Sequence, residues 1–382
     1  MLYLGIDQHA NQLTIDLGDE LGKVLVNRRV STAPSRLTAF LTELQERSAD
    51  EGGYAAIVEV TGFNDYLLKL LPQFGCSHVL LVQPQESSKR KSDRRDARQL
   101  RELLWGSRHR LLAGKRVSLV RVITPPSPEE AKLRQLTSLL RQLKKQRTQV
   151  LNRMHTILKK HNFQHELPAK RLDAVKSQAW LEHVLELEDV DRLEMNLLQE
   201  NLKHFDKQIA KIDLDMANRF VKSQPSRIVA STPGLSVYSS LVISSRIGQV
   251  NRFANGDALA NFLGLTPSSR NSDQTIRHGG VTKLGSGFVR HMLCQSLVHV
   301  LRKDPWIRKW YRKTKSRRGV SVARVAVMRR LATILYAMLR DEMPYVPGGP
   351  DRYQLLLKLR DQRQLTFEEV WTMAYQDSAK AS

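Results

Sequence analysis

Acidic residues are scarce in this chain. Its 382 residues include 38 Asp and Glu against 61 Lys and Arg, which gives a formal net charge of +23. This imbalance points to a polyanionic partner, with nucleic acid as the first candidate and an anionic membrane as the second. Apolar residues make up 41% of the chain. That share is enough for packed cores, and the length is enough for two or three domains.

Cysteine is nearly absent as well. Cys76 and Cys294 stand far apart, which excludes a disulfide framework and a cysteine zinc site, and we expect both to be small core residues. No apolar run reaches the length of a membrane span, and residues 1–7 do not resemble a secretory signal. We therefore expect a cytoplasmic protein with no membrane partner.

The first third of the chain has the pattern of an α/β domain. Three short strands are predicted within residues 2–30, and alternating helices and strands follow them. The predicted helices cover residues 34–45 and 63–74, and the predicted strands cover residues 55–60 and 79–82. This order is that of an RNase H-like domain, which we assign to residues 1–123.

The middle of the chain changes to helical periodicity. Apolar residues recur at 3-4 spacing from Leu133 to Ile157, interrupted by Arg147, and again from Met195 to Met216. This spacing predicts a long coiled-coil hairpin or dimer arm, placed at residues 124–224.

The remainder of the chain is predicted to be mostly α-helical. We expect a C-terminal domain over residues 225–345 and a tail over 346–382. Within that domain, a loop rich in glycine, serine and asparagine is expected to lead to Gly287.

Paired carboxylates lie inside one of the most basic stretches of the chain. Asp93 and Asp96 are flanked by Lys and Arg and share one face of a predicted helix. Asp7 ends the first strand, and Glu59 lies on the strand expected beside it. A site that holds a divalent cation against a phosphodiester needs carboxylates for the cation and Arg or Lys for the phosphates. Asp7, Glu59, Asp93 and Asp96 are therefore the candidate Mg²⁺ ligands and catalytic residues.

The alternative is that each acid is a surface ion-pair partner of neighbouring arginines, as most single aspartates are. Other acids provide a comparison, because they fall in turns or in the middle of alternating strands and suggest no site. These are Asp16, Asp19, Glu20 and Asp65.

Several motifs resemble the DEDD transposases of insertion sequences, a family that includes Piv-type DNA invertases and RNA-guided bridge recombinases. The N-terminal motifs are Gly5-Ile6-Asp7, Val58-Glu59-Val60-Thr61-Gly62 and Asp93-Arg94-Arg95-Asp96-Ala97. The C-terminal motifs are Leu259-Ala260-Asn261-Phe262-Leu263-Gly264-Leu265-Thr266-Pro267 and Arg277-His278-Gly279-Gly280-Val281-Thr282-Lys283-Leu284-Gly285. The resemblance covers nearly the whole chain, with the motifs in the family's order.

The resemblance implies a RuvC-like N-terminal domain and a second domain that carries a serine nucleophile. The matching position is Ser272, with Ser268 and Ser269 close by. Attack of the serine hydroxyl on a phosphodiester would give a phosphoserine link that a free hydroxyl later reverses. Without the resemblance, the sequence favours a loop serine in a polar turn at Ser272, and only the resemblance reverses this interpretation.

The same resemblance implies the partners of a bacterial or archaeal, nucleoid-associated protein. These are double-stranded donor and target DNA, a noncoding guide RNA, and further copies of the chain in a dimer to tetramer. Candidate nucleic-acid contacts are the basic residues near the acids, near the serine and in the C-terminal basic stretch. They are Arg94, Arg95, Arg277, Lys283, Arg290, Arg317 and Arg318.

Two other functions fit parts of the sequence. A metal-dependent junction nuclease would need the four acids alone, and a non-catalytic architectural protein would need only the basic surface and the arm. The basic, aromatic stretch from Trp306 to Arg330 also has two interpretations. Its rings stack on bases, or they face the core while the charges are solvated.

Overall fold

The computed structural model describes residues 1–84, 93–115, 117–118, 120–183, 185–272, 275–282 and 285–379. For residues 84, 93–95, 267–272, 275–279 and 376–379 it describes the backbone alone. The chain divides into two units, Met1–Pro125 and Pro126–Ser382.

The first unit is built on a mixed sheet of six strands in the order β3-β2-β1-β4-β5-β6. β1 pairs antiparallel with β2 and parallel with β4, and β5 lies parallel to β4. The strands are β1 (Leu2–Gln8), β2 (Gln12–Gly18), β3 (Val24–Ser31), β4 (Tyr54–Glu59), β5 (Cys76–Pro84) and β6 (Val120–Ile123). The helices are α1 (Pro34–Ser48), α2 (Asp65–Leu70), α3 (Asp93–Gly106) and α4 (Arg108–Leu111).

Helices cover both faces of this sheet. Alternate residues of β1, including Leu4 and Ile6, pack in one core with α1. The other face carries Tyr3 and Ile57, which pack in a second core with Leu100 and Leu104 of α3. The strands can be apolar along their length because both faces are buried.

Gly5 allows α3 to lie directly on β1. A Cβ atom at this position would come within 2.2 Å of the Ala97 carbonyl oxygen, closer than non-bonded atoms approach. Tyr3 packs near Leu104, and Gly5 lies near Ala97. The helix therefore runs opposite to β1, with its N-terminus toward the end of β1 where Asp7 lies.

The second unit begins with two long helices, α5 (Pro128–Lys160) and α7 (Asp189–Lys222). Ser127 caps α5 in a reciprocal capping box with Glu130, which fixes where the helix starts. Ion pairs join Arg153 to Glu194 and Arg219 to Glu129, so the two helices are antiparallel. We call this helix pair the arm; a short helix, α6 (Val175–His183), lies between its two members.

Arg147 has a structural role at the point where it interrupts the apolar repeat. Its guanidinium lies 2.5 Å from Asp206 Oδ1 on α7 and 2.8 Å from Asp173 Oδ2. Arg171 donates to the same Asp173 carboxylate, and the hydrogen bonds from Arg171 and Arg147 hold the Asp173 pKa well below its usual range. A charge network thus replaces apolar packing at this level of the arm.

The rest of the second unit is a helical core. Residues of the last helices contribute to it, including Leu356 and Val370 from the region named a tail above. The helices are α8 (Gln224–Ala230), α9 (Val237–Ile247), α10 (Gly256–Phe262), α11 (Gly287–Lys303), α12 (Pro305–Asp341), α13 (Pro350–Arg363) and α14 (Phe367–Ala379). The mixed sheet and the helices after it confirm two parts of the predicted fold class: an α/β N-terminal domain and a mostly α-helical remainder.

Three details differ from the sequence-based expectations. The predicted loop before Gly287 contains an antiparallel pair of strands, β7 (Pro267–Ser272) and β8 (Thr275–Val281). Strand β6 was not predicted, because four residues are too few to show a period. Cys76 is buried as expected, and burial raises the pKa of its thiol to about 11, whereas Cys294 is exposed on α11.

Candidate active site

Asp7 and Glu59 lie side by side at the ends of neighbouring parallel strands. The register pairs Ile6 with Val58, so the next residue of each strand lies at the same level. Since side chains alternate along a strand, both acids belong to the face that carries Ile57 and is covered by α3. Asp7 is only 8% exposed and Glu59 is half-buried. The fold therefore brings together two acids that are separated by fifty-two positions in the sequence.

The first turn of α3 lies toward the same end of the sheet. Asp93 begins the helix and Asp96 is half-buried one residue before Ala97, which packs against Gly5. The antiparallel run of α3 over β1 places this turn toward Asp7. The side chain of Asp93 lies outside the described atoms, as do those of Arg94 and Arg95.

Polar groups surround Asp7. His9 places its Nε2 atom 3.1 Å from Asp7 Oδ2. On the other neighbouring strand, Thr14 pairs with Asp7 across the ladder. Thr14 is fully buried, and its Oγ1 atom has no hydrogen-bond partner among the described residues. A buried hydroxyl without a partner costs free energy, so its presence beside a carboxylate indicates a polar ligand that completes its bonding.

These groups fit a divalent cation by their chemistry, because carboxylate and hydroxyl oxygens are the ligands that hard cations prefer. Among the described side chains, no three His, Cys, Asp or Glu residues lie close enough to hold a metal ion. The described side chain of Asp96 therefore does not complete a three-ligand site with Asp7 and Glu59, and the side chain of Asp93 lies outside the described atoms.

A buried ion pair that no local pattern indicates holds α3 on the sheet. Arg101 donates to Asp16 of β2, and the two side chains are 2% and 1% exposed. Asn27 Nδ2 donates to the other carboxylate oxygen at 2.6 Å. The sequence pattern suggests no role for Asp16, because an acid within an alternating strand is typical of a surface residue. The helix packed against it shows instead that Asp16 is buried.

Ser272 lies at the end of β7, where it pairs with Thr275 of β8. Its side chain and that of Arg277 lie outside the described atoms, and Lys283 lies outside the described residues altogether. Arg290 is described, and its Nη1 atom donates to the carbonyl oxygens of Leu263 and Gly285 at 3.0 and 2.8 Å. Arg290 thus ties together the chain segments on either side of the β7-β8 pair.

A strongly basic surface lies where α12 bends. Gly319 has φ 80° and ψ 169°, a left-handed conformation that glycine adopts without strain, so α12 is two helical segments meeting at this residue. We call residues 309–324 the α12 corner. Its exposed cations are Lys309, Arg312, Lys313, Lys315, Arg317, Arg318 and Arg324.

The α12 corner has no acidic residue of its own, because no Asp or Glu occurs between Asp304 and Asp341. Among the described residues, the ion pairs of α12 are made by Arg329 and Arg340, beyond the corner. Trp306, just before the corner, and Trp310 and Tyr311, at its start, are half-buried against the helical core. Trp306 and Trp310 lie 4.8 and 5.0 Å from the Arg330 guanidinium. The rings therefore pack in the protein, and the charges form the exposed surface.

No helix among the described residues is long and apolar enough to cross a membrane.

Family models of known proteins match residues in both units of the chain. A model described as a transposase of the DEDD type matches residues 4–163, and one described as the transposase IS116/IS110/IS902 family matches residues 226–312. The chain is 23% identical to the transposase for insertion sequence element IS1111A of Coxiella burnetii, over 91% of this chain and 92% of that protein.

Two further relatives match more local parts of the chain. One is an uncharacterized 42 kDa protein of insertion element IS900 from Mycobacterium paratuberculosis, 29% identical over 40% of this chain and 38% of that protein. The other is an uncharacterized 43.6 kDa protein of element IS110 from Streptomyces coelicolor, 26% identical over 35% of this chain and 34% of that protein.

The sheet with its terminal acids and the two family matches define a DNA transposase. Within that class, the chain belongs to the IS110/IS116/IS902 family of DEDD transposases, the enzymes of insertion sequences. A domain of the DEDD type also suggests a divalent metal.

Proposed function

We propose that this transposase exchanges DNA strands in a Mg²⁺-dependent reaction that passes through a phosphoserine link at Ser272. The observation that carries the proposal is the placement of Asp7 and Glu59 at one level of the sheet, directly after the Ile6–Val58 pair and toward the first turn of α3. Asp93 and Asp96 complete the proposed set of ligands. This arrangement supports a RuvC-like identity for the first domain.

The four acids and the metal ion would have different roles in the reaction. When bound, Mg²⁺ would stabilise the negative charge that develops on the phosphate. Asp7, Glu59, Asp93 and Asp96 would hold the ion. Burial of Asp7 under α3 limits the water around it, which strengthens its electrostatic interactions.

The serine step conserves one phosphodiester bond. The Ser272 Oγ atom attacks phosphorus, a P–O bond to deoxyribose breaks, and the sugar oxygen leaves as a hydroxyl after taking up a proton. The serine proton is released at the same time, so charge is balanced. In the reverse step a DNA hydroxyl attacks the phosphoserine and restores a DNA phosphodiester, which requires no outside energy source.

A covalent adduct tests this proposal. The chain is incubated with DNA carrying the ends of its element and with Mg²⁺, then denatured and resolved on a gel. We expect protein joined to DNA from the wild-type chain and none from Ser272→Ala. Ser268→Ala and Ser269→Ala are the matched controls, and both should retain the adduct.

Two outcomes would contradict the proposal. DNA cleavage that survives Ser272→Ala but not Asp7→Asn would favour a metal-dependent junction nuclease. DNA binding without cleavage or adduct, unchanged in Asp7→Asn, would favour an architectural protein.

The proposed partners are double-stranded donor and target DNA, a noncoding guide RNA and further copies of the chain in a dimer to tetramer. The net charge of +23 supports nucleic-acid partners in general. RNA that copurifies with active protein and is required for strand exchange would support guidance, and activity of RNA-free protein would contradict it. We also propose four regions, at residues 1–123, 124–224, 225–345 and 346–382, with the arm as a coiled coil that serves oligomerisation.

We propose that Arg317 and Arg318 contact nucleic-acid phosphates as part of the α12 corner. Their exposure, and the lack of acids between Asp304 and Asp341, leave these charges available to a ligand. We propose the same role for Arg94, Arg95, Arg277 and Lys283 near the two catalytic motifs. For Arg290 we propose phosphate contact in addition to its hydrogen bonds to Leu263 and Gly285.

Salt dependence of DNA binding checks the role of the α12 corner. Each phosphate contact contributes about 0.9 to the slope of log K against log salt concentration, so Arg317→Gln with Arg318→Gln should reduce the slope by about 2. Arg153→Gln is the control, because Arg153 lies 2.5 Å from Glu194 on the arm. An equal slope in the double variant and the wild type would exclude the two arginines as phosphate contacts.

A further inference from the structure

Two neutral amide side chains are buried beside the acidic residues. Gln8 is 2% exposed and Asn64 is 4% exposed, and Asn64 Nδ2 donates to Gln8 Oε1 at 2.8 Å. Gln8 directly follows Asp7 in β1, and Asn64 lies just after the segment that leaves β4. We call Gln8 and Asn64 the amide pair.

The amide pair connects the end of β1 to the segment that follows β4. Gln8 Nε2 donates to the Phe63 carbonyl oxygen at 2.9 Å. Asn64 Nδ2 also donates to the carbonyl oxygen of Glu59 at 3.0 Å, and Asn64 Oδ1 accepts from the Thr61 amide at 2.6 Å. One of the candidate metal ligands, Glu59, is thus held directly through its own backbone.

The amide pair lies beyond the last residues that pair between β1 and β4. The described pairing of β1 with β4 extends to Ile6 and Val58. Asp7 and Glu59 therefore lie between the last pair of the strand ladder and the amide pair. Two neighbouring carboxylates repel each other when no cation is bound, and this repulsion pushes the strand ends apart.

We propose that Gln8 and Asn64 are positioning residues that hold Asp7 and Glu59 at a fixed separation for cation binding. Amides suit this role because they hydrogen-bond in both directions without adding charge next to the acids. A site held in place by its supporting residues binds its ligand without first having to become ordered. The inference rests on the function proposed above, since it assumes that the two acids hold a cation.

The test measures cation binding separately from activity. Mn²⁺ serves as the probe in isothermal titration calorimetry of the full chain, with wild type, Asn64→Ala and Gln8→Leu. Loss of a residue that orients a metal ligand typically weakens binding 10- to 100-fold, so we expect a loss of about that size in both variants. The turnover number for strand cleavage should fall while the KM for DNA stays unchanged, because the DNA surface is untouched.

A matched control separates positioning from general loss of stability. Gln199 is 3% exposed in the arm, and its Nε2 atom donates to Oε1 of the half-buried Gln178 at 3.4 Å. Gln199→Leu should destabilise the chain to a similar degree without changing Mn²⁺ affinity. Asn64→Leu keeps the approximate size of the side chain but loses the acceptor for Thr61 and both donations, so it should weaken Mn²⁺ binding as Asn64→Ala does.

The outcomes are distinct. Mn²⁺ affinity that is unchanged in folded Asn64→Ala and Gln8→Leu, but lost in Asp7→Asn, would overturn the positioning role and leave the proposed function intact. A wild-type chain whose Mn²⁺ binding does not depend on Asp7 would overturn both.

Discussion

At the scale of single residues, the Asp16–Arg101 pair has the largest consequence for the candidate site. The two charges are almost wholly buried, and they join β2 to the helix that carries Asp93 and Asp96. Removing one partner of a buried ion pair leaves the other charge without compensation, which is more damaging than removing both. The pair therefore fixes where α3 lies on the sheet.

We expect Arg101→Leu to destabilise the first unit by about 3–5 kcal/mol, because the Asp16 carboxylate stays buried without its partner. Chemical denaturation and hydrogen exchange of the α3 amides measure the effect. Arg98→Leu, on the exposed side of the same helix and paired with Glu102, is the control and should leave stability nearly unchanged. Equal stability of the two variants would show that the buried pair does not hold α3.

At the scale of secondary-structure elements, the arm combines apolar packing with buried charge. Val150, Met154, Met195 and Leu198 form its core. Arg147 interrupts that core and joins α5 to α7 and to Asp173. At the far end, Asp191 Oδ2 lies 2.7 Å from Lys160 and 2.6 Å from His161. The arm therefore depends on ionised carboxylates as well as on its apolar residues.

The arm should lose stability in acid. Hydrogen bonds from Arg171 and Arg147 lower the Asp173 pKa, and those from Lys160 and His161 lower the Asp191 pKa. A carboxyl whose pKa is lower in the folded state contributes stability that is fully present above its unfolded pKa, near 3.8 here. This contribution is lost progressively as the pH falls from that value through the lower folded-state pKa. Hydrogen exchange of the α5 and α7 amides between pH 6 and pH 3 should show it.

Asp173→Asn tests whether the Asp173 carboxyl causes part of the arm's loss of stability in acid. It should weaken the arm at pH 6 and reduce its dependence on pH, because one of the two titrating carboxyls is gone while Asp191 remains. An arm whose pH dependence is the same in Asp173→Asn and wild type would contradict the assignment to Asp173.

At the scale of the whole molecule, the residues that give the chain its positive charge differ from the residues proposed to hold the metal. The net charge of +23 comes from an excess of Lys and Arg that is especially clear along α12. The candidate metal ligands are acids at the end of one sheet. Binding to DNA should therefore depend on the cations, and strand cleavage on the acids.

Removal of divalent metal with EDTA tests this division. We expect DNA binding, measured by gel shift at constant ionic strength, to persist within about a factor of two, while the covalent adduct is lost and returns with added Mg²⁺. Binding that disappears together with the adduct would show that the metal also holds the DNA.

The predictions from sequence were most successful where the pattern is local. Apolar periodicity predicts the strands that carry Asp7 and Glu59. It also predicts the two long helices of the arm, α5 and α7. Periodicity failed for β7 and β8, whose glycine, serine and asparagine content is typical of loops, and for β6, which is too short. It also gave no reason for Arg147 until α7 and the Asp173 segment lay against it.

Composition and spacing along the chain are enough to predict the mixed sheet, the helical remainder, the basic character and the candidate acids. Which of these groups come into contact depends on the folded structure. It placed Asp7 level with Glu59, brought Thr14 beside them, joined Gln8 to Asn64 and buried Asp16 against Arg101. These contacts connect residues far apart in sequence, and no local pattern records a partner that only the folded sheet and its covering helix supply.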